Sequence, residues 1–209
     1  MNPKTFVSEL SAMSFPNVFN PYRDTCTLHD HKSSSSIRQS NLSCYLSDAI
    51  EFGVDAIWLG RDCGYRGGRR TGIALTDELQ LPKLESELGI KGISHATAGP
   101  AIKERTATEI WKMLVTIRKR IFLWNVFPFH PYGNNSPMSN RCHSRQEFEA
   151  GAELLHVLMA TLGFPQIVAL GGDSHRALLR LGFQPTLIRH PSYGGQTEFA
   201  RGIRELYGV

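Results

Sequence analysis

Three stretches of the chain hold side chains that could do chemistry. The richest is Gly60 to Glu78, GRDCGYRGGRRTGIALTDE, where Arg61, Arg66, Arg69, Arg70 and the glycines Gly64, Gly67, Gly68 and Gly72 surround one early carboxylate, Asp62. Glycines let backbone N–H groups approach a ligand closely, and the guanidinium fork matches phosphate oxygens. The same composition also suits a basic surface loop whose one acid balances charge. A Walker A loop needs Gly-Lys-Ser/Thr, and here Gly68 is followed by Arg69-Arg70-Thr71. The dinucleotide fingerprint needs another glycine spacing and an immediate helix, so neither phosphate loop fits. The second stretch, WNVFPFHPYGNNSP, puts Asn125 after an apolar run; taken alone, such an Asn caps a turn. The third is Arg189-His190-Pro191-Ser192-Tyr193-Gly194-Gly195.

Each stretch follows a short apolar run that reads as a buried strand. Ala56–Leu59 precedes the arginine loop, Ile121–Trp124 precedes Asn125, and Pro185–Ile188 precedes His190; Gln166–Leu170 is a further strand. Helical patterns lie between them. Asn41 is expected to cap a helix with Leu42, Tyr45, Leu46, Ala49 and Ile50 inward and Gly53 at its end. Thr106-x-x-Glu109 and Ser144-x-x-Glu147 read as capping boxes. The first precedes an apolar face of Ala107, Ile110, Trp111 and Leu114, ending in the charge run Arg118-Lys119-Arg120; the second precedes Phe148, Leu155, Leu158 and Leu162. A last helix buries Phe199, Ile203 and Leu206. Repeated strand–helix alternation predicts a parallel sheet covered on both faces, with ligands bound outside the carboxyl ends of the strands. Residues 1–40, with Phe15-Pro16, Asn20-Pro21-Tyr22 and Ser33–Ser36, lack sustained periodicity and read as an irregular N-terminal arm; residues 41–209 form the domain.

At 209 residues the chain suits one α/β domain. A net charge of +4 with a pI near 9.0 favours a polyanionic partner over an acidic one. No apolar run approaches a membrane span, and the N-terminus lacks a signal-peptide core, so a cytoplasmic location is expected. Cys26, Cys44, Cys63 and Cys142 are widely spaced without C-x-x-C, which argues against zinc or a disulfide framework. His29-Asp30-His31 reads as a surface pair of histidines in preference to a metal corner.

Gly60, Asp62, Gly67, Thr71, Gly72 and Thr76 follow a known pattern. The stretch resembles the first motif of the uracil-DNA glycosylase superfamily. There a strand ends in Gly-x-Asp-Pro-Tyr, or in Gly-Glu-Ala-Pro-Gly or Gly-Leu-Ala-Pro-Ala in the iron–sulfur branches, and a glycine-rich turn and Thr-Gly-x-x-Phe-Thr follow. Asn125, Pro131, Gly133 and Asn134 match the superfamily's Thr-Asn-Ala-Val-Lys-Cys-x-Pro-Pro-Gly-Asn segment, and His190-Pro191-Ser192 is similar to its second motif. The resemblance spans roughly residues 41–206. It implies a single-domain three-layer α/β/α sandwich around a four-stranded parallel sheet in the order 2-1-3-4. The cysteines of the iron–sulfur branches are missing at their places, Phe129 standing at one of them, so no metal, cluster or other cofactor is expected.

By that resemblance the protein is a monofunctional DNA glycosylase that hydrolyses the N-glycosidic bond of a flipped-out pyrimidine. Asp62 would orient water and stabilise the cationic sugar, His190 would face O2, and Asn125 would bond the Watson–Crick edge. Gly64, Tyr65, Leu75, Trp124 and Phe127 would line the base pocket. Arg66, Arg69, Arg70, Ser192, Gly194 and Gly195 would hold phosphates, with Tyr193 or Gln196 wedged into the gap left by the base. DNA is the expected partner, with no membrane, no obligate protein partner and a monomeric chain. Where uracil-specific members have a gating Tyr two residues after the Asp, this chain has Gly64, and where they stack a Phe on uracil it has Leu75. An open wall leans the expectation towards C5-modified pyrimidines, such as the hydroxymethylated or glucosylated cytosines of phage DNA, in a phage-defence role. Two alternatives are uracil excision in repair, with Tyr65 as the gate, and an inactive nucleic-acid-binding module of the same fold.

Overall fold

A computed structural model describes residues 2–209. Helix α1 (Pro3–Ala12) is followed by the short strand β1 (Val18–Phe19), helix α2 (Ser34–Phe52) and strand β2 (Ala56–Asp62). Two short helical turns come next, α3 (Gly68–Thr71) and α4 (Leu81–Ser86). Then come α5 (Arg105–Leu114), β3 (Ile121–Phe127), β4 (His130–Pro131), α6 (Arg145–Thr161) and β5 (Gln166–Leu170). Helix α7 (Gly172–Arg180), strand β6 (Thr186–Ile188) and helix α8 (Gln196–Tyr207) complete the chain. Among the described residues no helix is long and apolar enough to cross a membrane.

The central sheet is parallel in the order β3-β2-β5-β6, which in chain order of its strands is 2-1-3-4. Helices cover both faces, so the first five residues of β2 and all of β3 are buried, as near-continuous apolar runs require. Register sets the site: Gly60 lies beside Asn125, Asp62 beside Phe127, and Leu170 beside Ile188, so the carboxyl ends of β2, β3, β5 and β6 share one edge. Strands β2 and β3 run further than their apolar cores suggest. Asp62 is the last residue of β2, and Asn125 lies inside β3 instead of at its tip.

The irregular arm expected over residues 1–40 is not what the structure shows. Asn2 caps α1 by accepting the Thr5 N–H at 2.8 Å, and Phe6, Val7 and Leu10 enter the core. Strand β1 pairs antiparallel with β4, joining the segment to the chain beyond β3. Helix α2 begins at Ser34, within the serine run, because Arg38 makes that turn a fixed point. Its fully buried guanidinium donates to both oxygens of Asp30 at 3.0 Å and to the Pro21 carbonyl at 2.5 Å. Asp30 is therefore an internal counter-ion, and the adjoining His29 is mostly buried beside it, not a surface histidine. Asn41 is a buried mid-helix residue whose Nδ2 donates to the Thr71 and Ser94 carbonyls at 2.8 Å, tying α2 to the arginine loop. The expected cap at Thr106 also fails: α5 starts at Arg105, with Glu104 at the cap position and no side-chain cap bond. It ends at Leu114, short of the charge run, where Arg120 pairs with Asp48. The Ser144–Glu147 capping box is present on α6.

Candidate active site

A cleft of about 520 Å³ opens at the carboxyl edge of the sheet, within the roughly 300–1,000 Å³ of typical ligand sites. It is lined by the end of β2 and the loop after it, the N-terminus of α7, and the His190–Tyr193 loop. Asp62 and His190, which come from sequence motifs far apart, face this one space.

Both oxygens of Asp62 are engaged. Arg61 Nε donates to Oδ2 at 2.5 Å, and His143 Nδ1 donates to Oδ1. Arg61 continues the chain to Asp173 Oδ2 at 2.5 Å, and Arg176 pairs with the other Asp173 oxygen. Burial works against the charge of Arg61, but its bonds to Asp62 and Asp173 hold its pKa above the ordinary value. The Arg61 bond is in turn the main reason that the Asp173 carboxyl lies low. His143 is placed by its position just before the Ser144 cap of α6 and by stacking on Phe148, with ring centroids 5.6 Å apart. Neither His143 nor Asp173 stands out in the sequence. The one local signal is a histidine adjoining a capping box.

His190 is neutral, and its tautomer follows from its partners. Nδ1 faces the Ser192 backbone N–H at 3.2 Å, an obligate donor, and the Ser192 hydroxyl at 2.7 Å. Nδ1 is therefore the acceptor, and the ring proton sits on Nε2. Burial first, then the charges of Arg189 and Arg61, push the pKa down to about 4. A carboxyl group held by Arg61 and His143 and a neutral N–H donor thus share one cleft, a pairing suited to a reaction that builds positive charge at one atom and negative charge at another.

Several expected site residues lie elsewhere. Asn125 is buried, its Nδ2 donating to Cys63 Sγ at 3.5 Å and its Oδ1 without a partner. It sits behind Gly60: a Cβ there would be 2.6 Å from Asn125 Oδ1 and 2.8 Å from Leu75 Cδ2, so only glycine fits. Leu75 does line the cleft, at a left-handed φ of 56°. Trp124 and Phe127 are core residues, packed on Phe6 and Phe129 with ring centroids 5.9 and 5.3 Å apart. β3 is covered on both faces, so neither reaches the cleft. Tyr65 is also outside it, 6.3 Å from the His130 ring.

The arginine loop divides in a way its composition conceals. Arg66 is exposed, but Arg69 and Arg70 are only 2% and 6% exposed. Arg70 donates to Glu78 and Thr97 at 2.9 Å. Arg69 donates to His130 Nδ1 at 2.9 Å and lies 4.0 Å from the centre of the Phe19 ring. These two hold the loop together and cannot reach a phosphate. Thr71 and Thr76 assist by donating to carbonyls within the loop.

The wall expected to be open at Gly64 is filled. A Cβ at Gly64 or at Gly67 would collide with the carboxylate of Glu104, which arrives from the start of α5 and lines the cleft. Sequence reading missed this residue, since nothing local links a loop after β2 to a cap some forty positions later. On the far side, Tyr193 is 98% exposed at a left-handed φ of 51°, and a basic groove beside it is lined by Lys103, Arg105, Gly194 and Gln196. Cys63 is buried, which pushes its thiol up to about 12, and all four cysteines are free.

No protein-family model matches the chain. No curated protein matches it either. Among solved structures it is similar to the crystal structure of wild-type SMUG2 from Pedobacter heparinus, with a TM-score of 0.65 and 17% identity over 100% of this chain and 98% of that one. At that identity the likeness is one of fold: the chain has the three-layer α/β/α sandwich of the uracil-DNA glycosylase fold, with its four-stranded parallel sheet.

Proposed function

We propose that the protein is a monofunctional DNA glycosylase acting on a pyrimidine turned out of the helix into the cleft. The observation that carries this reading is the convergence of Asp62 and neutral His190 at the carboxyl edge of the sheet. Breaking a pyrimidine N-glycosidic bond leaves a cationic sugar and an anionic base with charge at O2. Asp62 stabilises the sugar and orients water, while the Nε2–H of His190 donates to O2. The neutral imidazole already carries its Nε2–H near neutral pH and so donates without proton uptake. Arg61 and His143 fix the carboxylate in place. Asn125 lies too deep to read the base directly and instead packs under Gly60 and Leu75. Tyr193 is the wedge, and Ser192, Gly194, Gln196, Lys103 and Arg105 follow the phosphates.

The favoured substrate is a C5-modified pyrimidine, with hydroxymethylated or glucosylated cytosine of phage DNA as the leading case and phage defence as the role. A missing wall at Gly64 no longer supports this, since Glu104 stands there. What supports it is the kind of wall: one polar carboxylate over two glycines, in place of an aromatic ring.

An abasic-site assay tests the reading. Oligonucleotides carrying uracil, thymine opposite guanine, 5-hydroxymethylcytosine or glucosylated cytosine are incubated with protein and then cleaved with alkali. Strand scission is expected for at least one C5-modified base. Release of uracil alone would move the protein to repair, and no release from any of them would leave a binding module.

The corrected arginine assignment gives a second expectation. Arg66→Gln should reduce the slope of log affinity for DNA against log salt by about one. Arg70→Gln should leave that slope unchanged and instead destabilise the fold by roughly 3 kcal/mol, since it removes a buried partner of Glu78. Salt titrations and urea melts of both variants check this; equal slopes in the two would place Arg70 back on the DNA.

A further inference from the structure

Glu104 is an acid in the cleft that takes no part in the bond-breaking proposed above. It occupies the cap position of α5, yet its side chain makes no cap bond; its backbone N–H instead donates to Asp77 Oδ2 at 2.7 Å. The side chain lies over Gly64 and Gly67, in the same cleft as Asp62 and His190. Among the described residues its carboxylate has no hydrogen bond and no ion pair. The side chain is half-buried at the cleft wall, so a ligand that fills the cleft would take the carboxylate out of water, and one that supplies a donor there offsets that loss.

We infer that Glu104 selects the extruded base by accepting a hydrogen bond from an exocyclic amine at C4, so that cytosine-type bases are taken in preference to uracil-type bases. The inference rests on the glycosylase reading for its ligand, and its chemistry follows from two walls of opposite character. His190 presents a donor and Glu104 an acceptor. A cytosine-type ring offers the complement, an acceptor at O2 and a donor at N4. A uracil-type ring carries O4 where the amine would be, and two acceptors then face each other. Asn125, fully buried beside Gly60 and not part of the cleft lining, leaves this discrimination to Glu104.

The selectivity should also depend on pH. Burial first, then the charge of Asp77, push the Glu104 pKa up to about 7, with Arg66 opposing; Cys63 is the other titratable group coupled to it. Above that value the carboxylate is an acceptor only. Below it the carboxyl can donate to O4, so the preference for amine over keto bases should grow as pH rises through about 7.

Oligonucleotide pairs that differ only at C4 test the inference: cytosine against uracil, and 5-hydroxymethylcytosine against 5-hydroxymethyluracil. Excision is measured as kcat/KM with the unmodified sequence, and equilibrium binding with an Asp62→Asn protein. Wild type should favour the amine member of each pair. Glu104→Gln, whose amide offers both a donor and an acceptor, should cut that ratio by roughly tenfold and flatten its pH dependence. An unchanged ratio in a variant that melts normally overturns the inference and leaves the glycosylase reading standing. If no base is excised, that reading fails and the binding ratios alone decide the role of Glu104. Equal binding of amine and keto members would then overturn both.

Discussion

Asp62→Asn is expected to lower base excision by roughly a hundred- to a thousandfold. The substitution is isosteric and removes only the negative charge that faces the developing sugar cation. It should also spare the architecture. Arg61 keeps one oxygen of the new amide and its bond to Asp173, and His143 can change tautomer to accept from the amide nitrogen. Loss of fold would therefore not explain a loss of rate, and an unchanged melting temperature is the control. Affinity for DNA should hold or rise, because one charge repelling phosphate is gone. Single-turnover excision, read by alkaline cleavage, measures the effect. Activity within tenfold of wild type would remove Asp62 from the chemistry and with it the observation on which the proposed function rests.

Acid should destabilise the fold well above the range where carboxylates titrate. Burial, then Arg69, pushes His130 down to about 4, as burial, Arg189 and Arg61 do for His190. In the unfolded chain both return to 6.5. Below that pH the unfolded chain binds protons that the folded one refuses. The stability these two neutral rings carry is thus complete above about pH 6.5 and is lost progressively towards pH 4. Between pH 7 and pH 5 the pair should lose about 4 kcal/mol, an upper figure. Glu104 acts in the opposite sense. Its folded pKa is raised to about 7, so its contribution is present below about 4.5 and lost as pH rises through 7. Over the same interval it returns about 2 kcal/mol. From these groups wild type should therefore lose about 2 kcal/mol and Glu104→Gln nearly the full 4, and His29, which burial also pushes down to about 4, adds to both losses alike. Urea titrations of both proteins at the two pH values give the comparison, and equal losses would show that Glu104 is ionised throughout.

Much of this architecture is legible in residue order. Four apolar runs become the four strands of the central sheet; those of β2 and β3 are buried on both faces and need no alternation, whereas the edge strand β6 leaves Leu187 half exposed. The Ser144–Glu147 box marks the start of α6 because a capping box is made by residues three apart and needs nothing distant. Asp62 and His190 are found at strand ends for a related reason: where a buried run stops, the next side chain faces the edge of the sheet. The helix at Pro3–Ala12 was hidden because ten residues with three buried side chains have little periodicity, and the helix is held by the core it covers.

The sequence by itself determined the strands, their alternation with helices and the two residues of opposite chemistry at the sheet edge, all of which depend on neighbours a few positions apart. Only the tertiary structure decided which charged groups are free to act. Arg69 and Arg70 look like phosphate ligands beside Arg66, but Glu78, Thr97 and His130 take them inward. Gly64 looks like an opening until Glu104 is brought across from the start of α5 to fill it. Asp62 looks isolated until Arg61 and His143 close on it from two sides. A charged side chain has the same composition whether solvated or paired. Its state is set by partners many residues away, and folding alone brings those partners within hydrogen-bond reach.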